Sequence, residues 1–173
     1  MIIAKVVPKY NGAVFTALRG AIPEGIEQGL ANGGEIVRMN AMSIVLDGHS
    51  YNGTLAQSIH YEPGRMGINK FTGFVKTKAL PQASTLEFGT GRYAENGAGS
   101  EPWFVHESQA PGLGEYYNIP HFTNSRGYET EFYYLTGAHP HPYMRPAANN
   151  KKDEVNIAVK DAVASAIRGV IPS

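Results

Sequence analysis

The clearest periodic stretch of the chain follows Pro23. Apolar or small residues recur at Ile26, Leu30, Gly33, Val37, Ala41 and Ile44, the three-and-four spacing of one buried helical stripe. Pro23 suits a first helical turn, and Glu24 and Glu27 place negative charge near the positive end of the helix. Gly48 is a fitting stop, so a helix is predicted over about Ile22 to Leu46. Four glycines (Gly25, Gly29, Gly33, Gly34) interrupt it, each at a cost on the order of 0.5–1 kcal/mol relative to alanine. They read either as tolerated weakness or as the close approach of another backbone, including one from a neighbouring subunit. A second stripe, Val155, Val159, Ala162, Val163 and Ala166, predicts a terminal helix from Asp153 to Arg168, ended by Pro172.

Between the helices the period shortens to that of strands. Ile2 to Val7 reads as a strand closed by Pro8 and the Asn11-Gly12 turn, and Ala13 to Arg19 as a short helix or turn. Tyr51 to Ser58 reads as a turn and a short helix capped by Thr54. His60 to Glu62 and Lys70 to Thr77 form a predicted hairpin about Pro63-Gly64. Pro81 opens a short helix that stops at Gly89, and Glu129 to Leu135 is another strand. The fold class expected is α+β: an antiparallel sheet around Phe71, Phe74 and Phe132, covered on one face by both helices.

Gly91 to Tyr128 breaks this pattern. Glycine and proline recur through it with no helical period, as in a long loop. Yet it holds Tyr93, Trp103, Phe104, Tyr116, Tyr117, Phe122 and Tyr128, residues in which disordered linkers are poor. It is expected to be an ordered excursion that packs against something. Trp103, Phe104, Tyr116 and Tyr117 are the candidate subunit contacts, with Trp103 the leading anchor because tryptophan is enriched at energetically dominant positions.

Composition narrows the function. The 173 residues fit one domain with a loop-rich insertion at about 91–128. A hydrophobic share of 42%, with 20 glycines and 11 prolines, suggests a modest core and much loop. Fifteen basic and fifteen acidic residues cancel to a formal charge of +0, which disfavours tight gripping of nucleic acid and suits a subunit bound for an assembly. The absence of cysteine excludes disulfides, thiol nucleophiles and Cys-based zinc sites. Residues 1–7 are too short and too lightly charged for a signal peptide. No apolar run reaches the roughly 18 residues of a membrane span.

Catalytic signals are sparse. His139 and His141, with His106 and His121, raise a metal site, but the first two precede prolines and no acid stands at short ligand spacing. Gly89-Thr90-Gly91 lacks the lysine of a phosphate loop, and no serine sits in a G-x-S-x-G elbow. Glu87, between Leu86 and Phe88, is expected to be partly buried and to need a partner, more readily a structural ion pair than a catalytic one. The aromatics could stack bases or sugars, yet Gly91 to Tyr128 offers only Arg92 and Arg126 as cations.

Three segments matter together. Asn52-Gly53-Thr54-Leu55 runs into Ser58-Ile59; Leu86-Glu87-Phe88-Gly89-Thr90 follows Ala83; and Pro142-Tyr143-Met144-Arg145-Pro146-Ala147-Ala148 precedes the terminal helix. In that order they resemble the T-G-x-L-x-x-S-I, E-F-G-T and P-F-L-R-P-A segments of the head–tail joining, or tail-completion, family of long-tailed DNA bacteriophages. The resemblance spans about residues 22 to 170. Asn52 replaces the family's threonine, Gln82 its tyrosine before the alanine, and the stretch from Thr90 to Pro140 is longer than usual.

The resemblance implies a non-enzymatic virion protein without cofactor or metal. It implies a ring, in most such proteins sixfold, in the neck or at the head-proximal end of the tail (a tail terminator or a ring above it). Such a ring is assembled in the host cytoplasm, contacts other neck, connector and tail-tube proteins, and lets DNA pass through without holding it. Gly53, Leu55, Glu87, Phe88, Gly89, Thr90, Arg145 and Pro146 become structural motif residues, with Phe88 entering the core, Glu87 paired to Arg145 and Pro146 in an early helical turn. Two alternatives from other classes are a metal-dependent hydrolase using the histidine-rich loops and a carbohydrate-binding surface module using the aromatics.

Overall fold

The computed structural model describes residues 12–48, 53–65, 70–78, 82–95, 102–109 and 119–171. Its elements are α1 (Gly12–Gly48), α2 (Gly53–Ser58), β1 (Ile59–Arg65), β2 (Phe71–Thr77), α3 (Gln82–Phe88), β3 (Trp103–His106), β4 (His121–Thr123), β5 (Glu129–Leu135), α4 (Met144–Asn150) and α5 (Lys152–Val170). Short 3-10 turns lie at Gly91–Tyr93 and Glu107–Gln109. The fold class is α+β, with a long N-terminal helix, a C-terminal helix and antiparallel sheets. The predicted strand at Ile2 to Val7 lies outside the described residues.

The chain divides into two compact units: Met1–Lys78 with Arg145–Ser173, and Ala79–Met144. In the first, α1 runs unbroken for 37 residues with Pro23 inside it, about 55 Å at the rise of an α-helix. The helix therefore absorbs Ala13 to Arg19 and does not begin at Pro23. Its buried line is Gly25, Gly29, Gly33, Ala41 and Val45, with half-buried Val37 completing the four-residue spacing. That line shares Gly33, Val37 and Ala41 with the predicted stripe, and has Gly25, Gly29 and Val45 where Ile26, Leu30 and Ile44 were expected. At the first two of these the contact selects the smaller neighbour of a bulky residue.

The reason is α5. A Cβ built on Gly25 would stand 2.9 Å from the Ala166 Cβ, one on Gly29 2.6 Å from the Val159 Cα, and one on Gly33 2.7 Å from the Val155 Cγ1. Low α1 numbers meet high α5 numbers, so the helices run antiparallel over three turns, and the predicted α5 stripe is the face that meets α1. The glycine cost is thus offset by a close approach within the chain. The hairpin packs against α1 too, through Tyr61, whose ring occupies the space a Cβ on Gly34 would fill and lies 2.6 Å (hydroxyl oxygen) from one on Gly73. Burial raises the Tyr61 pKa above its ordinary value, and the Glu27 carboxylate adds to the effect. Gly33 and Gly34 are about 100° apart around the helix, so α5 and the hairpin use adjacent faces of α1.

The hairpin pairs β1 and β2 in register from Ile59↔Thr77 to Arg65↔Phe71. Pro63 and Gly64, read as the turn, lie inside β1 opposite Gly73 and Thr72. A two-stranded ribbon has a free edge on each strand, where a missing proline N–H is tolerated. Thr54 lies within α2 and does not cap it. Leu55, Ala56 and Ile59 are buried.

The second unit holds the sheet ordered β3-β5-β4, antiparallel throughout. Strands β3 and β4 therefore stand inside the segment read as loop. Phe71 and Phe74 belong to one sheet and Phe132 to the other, and Phe74 and Phe132 are exposed rather than covered.

Gly29→Ala is expected to destabilise the protein by about 1–3 kcal/mol through overpacking against Val159. Gly20→Ala, where a Cβ meets nothing within 4 Å, is expected to stabilise it by about 0.5–1 kcal/mol. Urea denaturation of the two variants checks this, and equal stabilisation by both would contradict the glycine-lined contact.

Candidate assembly site: the motif junction and the aromatic sheet face

The second motif sits where α3 ends. Gly89 donates its N–H to the Thr85 oxygen at 2.9 Å and adopts φ +74°, the left-handed conformation in which glycine terminates helices. Thr90 then joins the 136–144 segment twice: its N–H donates to the Ala138 oxygen at 2.9 Å, and its Oγ1 accepts the Ala138 N–H at 3.0 Å. Arg92 N–H donates to the Thr136 oxygen at 2.9 Å and His141 N–H to the Leu86 oxygen at 2.7 Å. Gly91 and Gly137 both have positive φ. A Cβ on Gly91 would stand 2.7 Å from the Trp103 ring, and one on Gly137 would collide with the Thr90 carbonyl oxygen.

Glu87 is 5% exposed. Its Oε2 accepts the N–H groups of Tyr143 at 2.8 Å and Met144 at 2.9 Å, where the chain turns into α4. These are among the donors that the start of a helix leaves without intrahelical partners. The burial expected for Glu87 is present, and backbone amides are partners that the sequence reading did not anticipate. Phe88, expected in the core, is 46% exposed: with Glu87 turned inward, its neighbour points outward. Arg145 is the exposed second residue of α4, and Pro146 is the third, in its first turn; both belong to the first unit. Gly53 opens α2. Tyr116 and Tyr117 lie outside the described residues.

The three-stranded sheet presents two different faces. On one, Tyr133 is 4% exposed and His121 stacks on it, ring centroids 4.6 Å apart. His121 Nε2 is 3.4 Å from Glu107 Oε2, and its Nδ1 is 3.5 Å from Glu129 Oε1. On the other face, Phe104, Phe122 and Tyr134, one from each strand, lean on one another. Phe104 meets Phe122 at 4.9 Å and 76°, and Tyr134 at 5.2 Å and 50°. These rings and Phe132 remain exposed. Beside them His106 contacts Phe132 edge-on at 4.9 Å. Its Nδ1 accepts the Ser108 N–H at 3.2 Å, so Nε2 carries the proton directed at Glu131 Oε2, 3.0 Å away. Trp103, half-buried, faces Gly91; Phe104 is the exposed ring of β3.

No family model, curated protein or solved structure matches this chain.

Rings set edgewise and tilted make a ridged apolar surface, a poor flat platform for a sugar ring. Among the described residues, no group of three or more His, Asp or Glu side chains is arranged to hold a metal ion. His139 stacks on Tyr93 at 3.9 Å. A groove of about 630 Å³ along α1 and α5 is lined by Gln28, Asn32, Asp161 and Ser165, without a histidine or lysine to activate the serine. No helix among the described residues is long and apolar enough to cross a membrane.

Glu87→Ala is expected to cost about 1–3 kcal/mol by leaving one buried and one half-buried N–H group without their acceptor, whereas Phe88→Ser should change stability by less than about 1 kcal/mol. Thermal denaturation of both variants tests the difference. A larger loss from Phe88→Ser would mean that the motif is held by the ring and not by the carboxylate.

Proposed function

We propose that this chain is a structural virion protein of a long-tailed bacteriophage. It forms a ring in the neck or at the head-proximal end of the tail, joins tail to head, and leaves a passage for DNA. The observation that carries the reading is the ordered set of three motifs. Its support is physical as well as sequential: Glu87 of the second motif accepts the N–H groups of Tyr143 and Met144 in the third. Residues named by the resemblance thus have a joint scaffolding use, in a chain whose described residues offer adhesive surface rather than a catalytic cluster.

The motifs act as the frame of a subunit, and surfaces outside them make the contacts between subunits. An overall charge of +0 suits a lumen through which DNA slides, because phosphate affinity rises with each cation that neutralises the backbone.

Purified protein is expected to form rings with a central channel by negative-stain electron microscopy. A phage carrying a null allele is expected to accumulate separate filled heads and finished tails, rejoined when the protein is added to the lysate. Normally joined particles from the null allele would contradict the proposal.

A further inference from the structure

On the Tyr133 face of the three-stranded sheet one histidine meets a carboxylate at each of its nitrogens. His121 opens β4 and lies flat on the buried ring of Tyr133, with centroids 4.6 Å and planes 14° apart. Its Nε2 is buried and has no hydrogen-bond partner. The Glu107 carboxylate stands 3.4 Å from that nitrogen, and the Glu129 carboxylate stands 3.5 Å from Nδ1. Glu107 follows β3 directly and Glu129 opens β5, so a ring on the edge strand reaches charged groups belonging to the other two. A neutral imidazole has a single N–H. Whichever nitrogen holds it, the other turns a lone pair toward a carboxylate, and leaving a buried polar atom unpaired is costly. The imidazolium has two N–H groups, one for each carboxylate, and its charge also suits the face of Tyr133. His106 provides the contrast. Its Nδ1 accepts the Ser108 N–H at 3.2 Å while its Nε2 faces Glu131 at 3.0 Å, so a neutral ring is satisfied there at both nitrogens.

Strand β4 has little else to hold it. It is three residues long and lies at the sheet edge. Its register with β5 is set at His121↔Tyr133 and Thr123↔Glu129, with an irregularity between them. Thr130 Oγ1 adds a bond to the Phe122 oxygen at 2.7 Å. Phe122 sits between the two register pairs and turns to the opposite face, where it meets Phe104 at 4.9 Å. Whatever holds the His121 ring down on one face therefore holds Phe122 among the exposed rings of the other.

We propose that protonation of His121 clamps β4 to the sheet, making the Phe104–Phe122–Tyr134 ridge a surface whose order depends on pH. The groups facing the ring are Glu107 from the turn after β3, and Glu129 and Tyr133 from β5; the Glu131 carboxylate is engaged by His106. Histidine is the side chain whose charge ordinarily changes between about pH 5 and 8. The attached strand favours the protonated ring and the detached strand has no such preference, so the clamp is in place at the acid end of that range. It is lost as the pH rises through it. The device stands whether or not the chain forms a ring.

Hydrogen exchange of the full chain tests this, read by mass spectrometry on peptides covering β4 and corrected for the effect of pH on intrinsic exchange. Between about pH 5.5 and about pH 8, the open fraction of β4 is expected to rise about threefold to tenfold, while peptides around Val159 of α5 keep theirs. His121→Phe retains a ring over Tyr133 and cannot titrate, so its β4 should open equally at both values. Glu107→Gln with Glu129→Gln, both exposed in the wild type, should flatten the dependence while leaving the histidine in place. If His121→Phe leaves β4 open throughout, the glutamine pair decides. Equal opening of wild-type β4 at both values would overturn the proposal. So would a pH dependence that survives in His121→Phe, or one that persists undiminished in the glutamine pair.

Discussion

The fold of the first unit hangs on a line of missing side chains. Gly25, Gly29 and Gly33 remove three Cβ atoms from one edge of α1, and into that space come Val155, Val159, Val163 and Ala166 of α5. An isolated 19-residue helix is marginal in water, and no residue of α5 is fully buried. Its stability therefore comes from contact with α1 rather than from enclosure. Three glycines weaken α1 by its own propensity, and the closeness they permit, with dispersion contacts along three turns, offsets the loss. Gly34 repeats the device a quarter-turn away for Tyr61, so one helix receives both α5 and the hairpin through positions without side chains.

Much of this was legible. The long central helix, the terminal helix and the stripe it turns to α1, the hairpin strands, the short helix stopped by Gly89 and the strand Glu129–Leu135 all stand near their expected places. What misled at the first two turns after Pro23 was the bulk of Ile26 and Leu30. Ile26 and Leu30 outrank Gly25 and Gly29 on any hydrophobic scale, yet the latter are buried and the former only half so. Pro63-Gly64 has the composition of a turn, but strand pairing overrode it. Pro23 fits a helix start, but α1 continues through it. In each case a local preference of a kcal/mol or a little more gave way to a contact made elsewhere.

The motif residues show the same limit in a smaller compass. Leu86-Glu87-Phe88 suggests a buried ring beside a carboxylate that must be paired. The structure inverts the emphasis: the carboxylate is buried because two amides of the 143–144 turn require an acceptor, and the ring is outside. No sequence pattern marks a carboxylate that serves the backbone of residues more than fifty positions away. Strands β3 and β4 were hidden for a related reason: each is short, flanked by glycine or proline, and ordered by β5 rather than by its own period.

Native-state amide hydrogen exchange measures the glycine-lined contact most directly, because it reports which segments open together. If α5 is held by α1, amides of Val155 to Ala166 should exchange with the same opening free energy as those of Gly25 to Gly33, well above that of the exposed start of α1 near Gly12. In Gly29→Ala the two segments should lose protection in step. Exchange of α5 as a freely fraying helix, while Gly25 to Gly33 stay protected and respond independently to the substitution, would contradict the account.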